Sequence, residues 1–342
     1  MSECLTDKSA QTSPSQHQRI IVTGANSCYF GSLMTLIGSL FKNKTTFDRI
    51  FVYNLGLSFL ERWILKGIPC VSLREVEPFC PHYLDVGNFA WKTASIASAL
   101  KEGGAICWLD AGIETLRPID DLFATIEKDG YFYNITPFDK ESCYILSLTQ
   151  SATYAKMGAS KADLENRFMC NAGISGFLAN HPSAEIAMQA KRWAADSEII
   201  TGPRHSHRHD QSIYSILWAL SKFQPQYWLC HVETVAPYPF LVPAQGTAPV
   251  SQEIVLQQRD LHPPYLQVIR NRNQFLHLET IPFIRLCRLR HFALGFLKKK
   301  SGIAVKSSWK FCLIYPLEVL NYKIFEPCKK WLSKDTSRIG KR

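Results

Sequence analysis

From Ile20 onward the chain alternates short apolar runs with longer segments of helical spacing. Ile20–Thr23 predicts a first strand, and Gly31–Phe41 a helix behind it. Arg49–Tyr53 (RIFVY) predicts a second strand, followed by a helix around Ser58–Lys66, and Pro69–Leu73 a short third strand. Asn88–Lys101 combines helical spacing with good helix formers, and Ala105–Leu109 (AICWL) reads as a buried strand ending on Asp110. Apolar runs that alternate with helices imply crossover connections, hence an α/β fold with a parallel, doubly wound sheet. After Asp120 the alternation is less regular. Tyr131–Ile135 and Gly173–Leu178 predict strands, and Pro182–Ala195 a helix with proline in its first turn. Asp210–Leu220 predicts a helix that Asp210 can cap. The Pro-rich stretch Pro237–Val250 reads as a loop or linker, and no internal repeat is visible.

Composition changes this picture mainly at the two ends. Residues 1–18 are polar, rich in Ser, Gln and Thr, and without an apolar signal-peptide core, so they read as a disordered tail. No run approaches the ~18 apolar residues of a spanning helix. The 11 cysteines include no CxxC, which suits reduced thiols better than a disulfide framework or a zinc site. The expected organisation is a tail (1–18), one main domain (19–280) and a basic C-terminal region (281–342).

The net charge of +10 is concentrated in that last region. Residues 283–342 hold 15 Lys and Arg against 3 Asp and Glu, which leaves the rest of the chain about neutral. FIRLCRLRHFALGFLKKK and WKFCLIYPLEVLNYKIFEPCKKWL mix aromatic and aliphatic residues with basic ones. An amphipathic surface of this kind suits an anionic membrane. Ordinary packing helices with solvated basic faces fit the same pattern. No nucleic-acid motif is present, so nucleic acid is not an expected partner.

The stretch RIIVTGANSCYFG begins like a dinucleotide-binding fingerprint. A short-chain NAD(P) dehydrogenase places glycines after Thr-Gly so that backbone can approach the pyrophosphate. Cys28 and Phe30 stand at those positions, and a Phe there blocks the approach. The Tyr of a catalytic Tyr-x-x-x-Lys pair is replaced by Met157, which cannot transfer a proton.

Four other segments, in order, suit a different use of an α/β nucleotide fold. Thr23, Gly24 and Asn26 form a polar exit from the first strand, where ligands of open α/β sheets sit; a plain turn with Ser27 as N-cap fits equally. In AICWLDAGIE, Asp110 ends a central strand and is followed by small Ala111 and Gly112. A carboxylate there can hold a divalent ion on a diphosphate, or cap a turn. In FMCNAGISGF, Asn171 offers a donor and an acceptor, and Gly173 lets a substrate approach; a glycine-containing bend is the plain alternative. In HSHRHDQSIYSIL, Asp210-Gln211 opens a helix behind a basic loop, and Asp210 can accept a hydroxyl proton. His205, His207 and His209 would share one face if extended, suiting phosphate or acceptor contact better than zinc.

The series Asp110-Ala111-Gly112, Asn171-Ala172-Gly173 and Asp210-Gln211 resembles the GT-A-fold glycosyltransferases, the nucleotide-diphospho-sugar transferases. These carry a strand-terminal Asp-x-Asp, then an Asn-Ala-Gly strand, then a helix opening Asp-Gln. FAWKTASIASAL resembles their helix before the Asp-x-Asp strand, with Lys92 where a basic residue near the donor is common. The resemblance spans roughly residues 19–229. It implies a Rossmann-like GT-A domain, a UDP- or GDP-sugar donor, and Mn²⁺ or Mg²⁺. It assigns donor contacts to Thr23, Gly24, Asn26, Lys92, Asp110, Gly112, Gly173 and Gln211, catalytic roles to Asp210 and Asn171, and metal contact to Asp110 and His231, although a satisfied core histidine is the plainer reading of His231.

One departure matters: Gly112 stands where the second Asp belongs. Glu114 can replace it if the chain is extended, one carboxylate can suffice, or transfer is metal-independent with Lys92 or Arg208 supplying charge. The implied acceptor is a glycan or lipid-linked hydroxyl in surface polysaccharide or lipopolysaccharide synthesis. The enzyme would be cytoplasmic and peripheral on the inner membrane face. A catalytically inactive GT-A-like binding protein is the second reading.

Overall fold

The computed structural model describes residues 17–135, 143–226, 228–231, 234–237, 264–268 and 275–282. At the centre lies β1 (Arg19–Ala25), followed by α1 (Phe30–Lys42), β2 (Arg49–Asn54), α2 (Phe59–Lys66), β3 (Val71–Glu75), α3 (Ala90–Leu100) and β4 (Ala105–Leu109). Then come β5 (Ile113–Thr115), α4 (Asp120–Asp129), β6 (Tyr131–Phe132), α5 (Ser151–Lys156), α6 (Lys161–Leu164) and β7 (Ile174–Leu178). The helices α7 (Ala184–Ala194), α8 (Ser197–Ile200) and α9 (Asp210–Leu220) precede β8 (Trp228–His231), β9 (Thr234–Pro237) and β10 (Leu266–Val268).

Six strands form one sheet in the order β3-β2-β1-β4-β7-β6. β1, β2, β3 and β4 are parallel, as the alternation predicts. β7 corrects the all-parallel expectation: it runs antiparallel to β4, pairing Leu109 with Ile174 and Ala105 with Leu178. This direction brings the chain just before β7 to the carboxyl end of β4.

β1, β2, β4 and β7 are buried on both faces, with side chains alternating between them, whereas the edge strand β3 is only half-buried. Ile20, Val22, Phe51, Ile106 and Trp108 face a core that includes residues of α3, α7 and α9. Ile21, Ile50, Val52, Cys107 and Leu109 face another built on α1 and α4. Each fully buried side chain of this size contributes about 1.5–3 kcal/mol. Local signals start the helices: Ser58 and Glu61 form a capping box at α2, and Ser160 and Asp163 repeat it at α6. Gly130 (φ 85°) ends α4, and a Cβ there would meet the His181 ring at 2.1 Å.

Several boundaries differ from the predicted ones. The third strand starts at Val71 because Ile68 still closes a turn onto it and Cys70 sits at φ 65°. Only Tyr131 and Phe132 of the fifth predicted strand join the sheet; Ile135 makes a single bridge to Cys170. Ser27 caps nothing and instead hydrogen-bonds Gly56 O and Glu61. A small antiparallel sheet, β5-β10-β9-β8, was not visible in the pattern. The expected tail lies outside the described residues except for 17 and 18, as do the expected loop from 238 to 250 and the basic region from 283 onward. Among the described residues no helix is long and apolar enough to cross a membrane.

Candidate active site

β1 and β4 are neighbours, and α3 and α9 begin beside their carboxyl ends. Lys92 lies in the first turn of α3, Asp110 directly follows β4, and Asp210 opens α9. The three side chains meet. Lys92 Nζ is 2.9 Å from Asp110 Oδ1 and 3.2 Å from Asp210 Oδ2. The lysine side chain is 3 % exposed and Asp210 6 %, whereas Asp110 is 44 % exposed and faces outward. Trp108, two residues before Asp110 on the same strand face, donates its Nε1–H to Asp110 Oδ1 at 2.8 Å. Lys92 Nζ also lies 5.4 Å from the centre of the Trp108 ring.

Burial works against the Lys92 ammonium, but the adjacent Asp110 and Asp210 carboxylates outweigh it and raise its pKa. Burial pushes the Asp210 carboxyl up, and the attraction of Lys92 only partly offsets this. The ammonium is therefore the group that opposes the effect of burial on Asp210. Both helices enter through strained backbone. Phe89 precedes α3 at φ 62°, His209 precedes α9 at φ 53°, and their rings pack 5.9 Å apart. Such residues persist where the surrounding structure holds them.

The antiparallel β7 delivers the Asn-Ala-Gly segment to the same place. Asp110 N–H donates to Gly173 O at 2.9 Å. Asn171 Oδ1 accepts from Gly173 N–H at 2.9 Å, and Asn171 N–H donates to Asn134 O. A Cβ on Gly173 would lie 3.0 Å from Asn171 Oδ1 and 3.2 Å from Asp110 Oδ2. Glycine thus keeps the outer face of the carboxylate open. Gly112 is half-buried in the turn that Asp110 O closes with Ile113 N–H.

Other expected residues have structural employment. Thr23 is fully buried, and a Cβ on Gly24 would meet the Trp91 indole at 2.7 Å. Of that loop Asn26 stays partly accessible. Gln211 Nε2 donates to Cys170 O at 2.8 Å and so braces the Asn-Ala-Gly segment. Asp210 does not cap α9 and pairs with Lys92 instead; the N-cap is His209. The three histidines do not share a face, because Ser206 N–H turns back onto Pro203 O: His205 is exposed, whereas His207 and His209 are buried. Burial, with His209 nearby, lowers the His207 pKa to about 4. Phe30 and Met157 are core residues, which leaves no short-chain dehydrogenase site at either.

Sequence reasoning missed Trp91, Asn134 and Tyr214. Trp91 Nε1, both side-chain polar atoms of Asn134 and the Tyr214 hydroxyl are buried without a hydrogen-bond partner among the described residues. Thr23 Oγ1 and Asn26 Oδ1 share this condition. Ordered water commonly satisfies buried polar atoms of this kind. Tyr214 lies one helical turn after Asp210, a spacing the sequence does display.

No protein-family model and no curated protein matches the chain. Among solved structures the chain is similar to the galactosyltransferase LgtC in complex with donor and acceptor sugar analogs. That match has 16% identity and TM-score 0.37, and covers 58% of this chain and 70% of that one. An active-site mutant of LgtC gives 16% identity and TM-score 0.36, covering 59% and 69%. The bifunctional glycosyltransferase WbbM in its apo form gives 14% identity and TM-score 0.38, covering 60% of this chain and 38% of that one. Overlaps this distant leave function to the residues themselves.

Of the side chains that the resemblance gives to a divalent ion, only that of Asp110 is among the described residues. The Lys92 ammonium pairs with Asp110 and with Asp210, and Asp110 Oδ1 also accepts from Trp108, which leaves Oδ2 as the oxygen of Asp110 open to a ligand. Glu114 cannot replace the missing Asp: the turn after Asp110 breaks the extended alternation, and Glu114 is held in β5 by Gln267 and His277. Among the described residues no three His, Cys, Asp or Glu side chains group to hold an ion. The His231 side chain lies outside the described residues.

Proposed function

We propose that the chain is a GT-A-type glycosyltransferase that moves a sugar from a UDP- or GDP-sugar to an acceptor hydroxyl. The observation that carries this is convergence. Lys92, Asp110, Asn171–Gly173 and Asp210, far apart in sequence, meet at the carboxyl ends of β1 and β4, where open α/β sheets bind ligands. In the reaction the acceptor oxygen bonds to the anomeric carbon. The bond from that carbon to the phosphate oxygen breaks, the hydroxyl proton passes to a base, and the nucleoside diphosphate leaves.

The exposed Oδ2 of Asp110 accepts from a donor hydroxyl, with Asn171 beside it. The exposed Arg208, in the segment running into Asp210, meets the diphosphate charge. Asp210, buried and paired, positions Lys92. The acceptor is a glycan or lipid-linked hydroxyl of surface polysaccharide or lipopolysaccharide. The basic, aromatic composition of 283–342 supports action at an anionic membrane surface on the cytoplasmic side.

The test is a thermal-shift panel of UDP, GDP, CMP, NAD and NADP. A ligand that binds only the native state adds about 2.7 kcal/mol at 100 times Kd. Stabilisation by UDP or GDP is expected. Stabilisation by NADP alone overturns the reading. Nucleotide binding without turnover on any donor, which Gly112 in place of the second Asp motivates, makes the chain an inactive binding module.

A further inference from the structure

We infer that Lys92 takes the place of the divalent ion, so that the donor site works without a metal. The inference rests on the transferase reading for its donor arm, while its metal arm needs no donor at all. The ammonium sits at ion-pair distance from both Asp110 and Asp210 and so places a fixed cation against the carboxylate that a metal would use. It is covalently attached and almost fully buried, so solvent ions cannot exchange with it. Strained entries at Phe89 and His209 aim both first turns at this point.

A dication would leave two carboxylates neutral, whereas one ammonium leaves a net charge of about −1. Of the two carboxylates only Asp110 is exposed to a ligand. An exposed carboxylate oxygen of this kind accepts from neutral hydroxyls and repels phosphate. The site therefore places the sugar, and not the diphosphate, against Asp110. It leaves the phosphates to fixed cations such as Arg208.

Removing the lysine should turn the pair of carboxylates into a metal site, since two carboxylates sharing a site attract a hard cation. The experiment measures melting temperature of the full chain in EDTA and in millimolar Mn²⁺, with no nucleotide, for wild type, Lys92→Ala and Lys92→Ala/Asp110→Asn. The expected result is no Mn²⁺ response in wild type, a saturable rise in Lys92→Ala, and loss of that rise in the double variant. A wild-type Mn²⁺ response that Asp110→Asn abolishes overturns the inference, and this arm holds even if Lys92→Ala does not fold. In the second arm wild type binds UDP or GDP equally in EDTA and Mn²⁺; a strict need for Mn²⁺ overturns the inference. Failure of every nucleotide to bind counts against the transferase reading, and the metal arm still decides the role of Lys92.

Discussion

Replacing Lys92 by Met keeps most of the side-chain volume and removes the charge. Asp210, with a side chain only 6 % exposed, then faces the interior without its partner. Breaking a buried pair from one side costs about 3–5 kcal/mol. At ~2–4 °C per kcal/mol for a domain of this size, the melting temperature should fall by ~6–20 °C. The loss should depend on pH in a defined direction. Burial already raises the Asp210 carboxyl, and without Lys92 it rises further. A folded-state pKa above the unfolded one means that the native state binds the proton more tightly. The variant should therefore regain stability relative to wild type as pH falls and Asp210 becomes neutral. The Lys92 pKa is itself raised, so its contribution is complete below the ordinary lysine range. That contribution is lost only as pH rises through the folded value. Chemical denaturation of both proteins from pH 5 to 10 checks this. A difference below ~1 kcal/mol that is flat with pH, as for an exposed ion pair, would refute the buried-clamp reading.

Four further outcomes are expected. Asp110→Asn, at a 44 % exposed side chain, should fold normally yet lose ~10²-fold or more in transfer rate; a coupled assay and a melting curve separate the two. Gly173→Ala pushes a methyl group to 3.2 Å from Asp110 Oδ2 and should weaken nucleotide-sugar binding by calorimetry, with little change in melting temperature. Gly24→Ala drives a Cβ into Trp91 and should destabilise by ~1–3 kcal/mol of overpacking in denaturant titrations. His207 has a depressed pKa of about 4, so its stabilising contribution holds above pH 6.5 and is lost as pH falls through the window down to 4. His207→Leu should flatten stability across that window.

The central strands and their helices were legible because burial on both faces leaves continuous apolar runs such as IIVT and AICWL, bounded by polar turns. The direction of β7 was not, since an apolar run is the same read either way; only pairing with β4 sets it. The second sheet joins Leu266 to Thr115 across a long sequence separation that no local pattern records. Within the site, Asp110 and Asn171 stood out by their positions at strand ends. The role of Lys92 did not, because it depends on a contact with Asp210 from another helix. Asp210 reads as a cap by residue type, yet the stronger demand of a buried ammonium claims it.

The most direct measurement is release of nucleoside diphosphate from UDP- and GDP-sugars in EDTA, by wild type and by Asp110→Asn. Turnover of one donor by wild type, lost in the variant, is expected. Equal turnover in both proteins would contradict the assignment of this site as the place where the sugar is transferred.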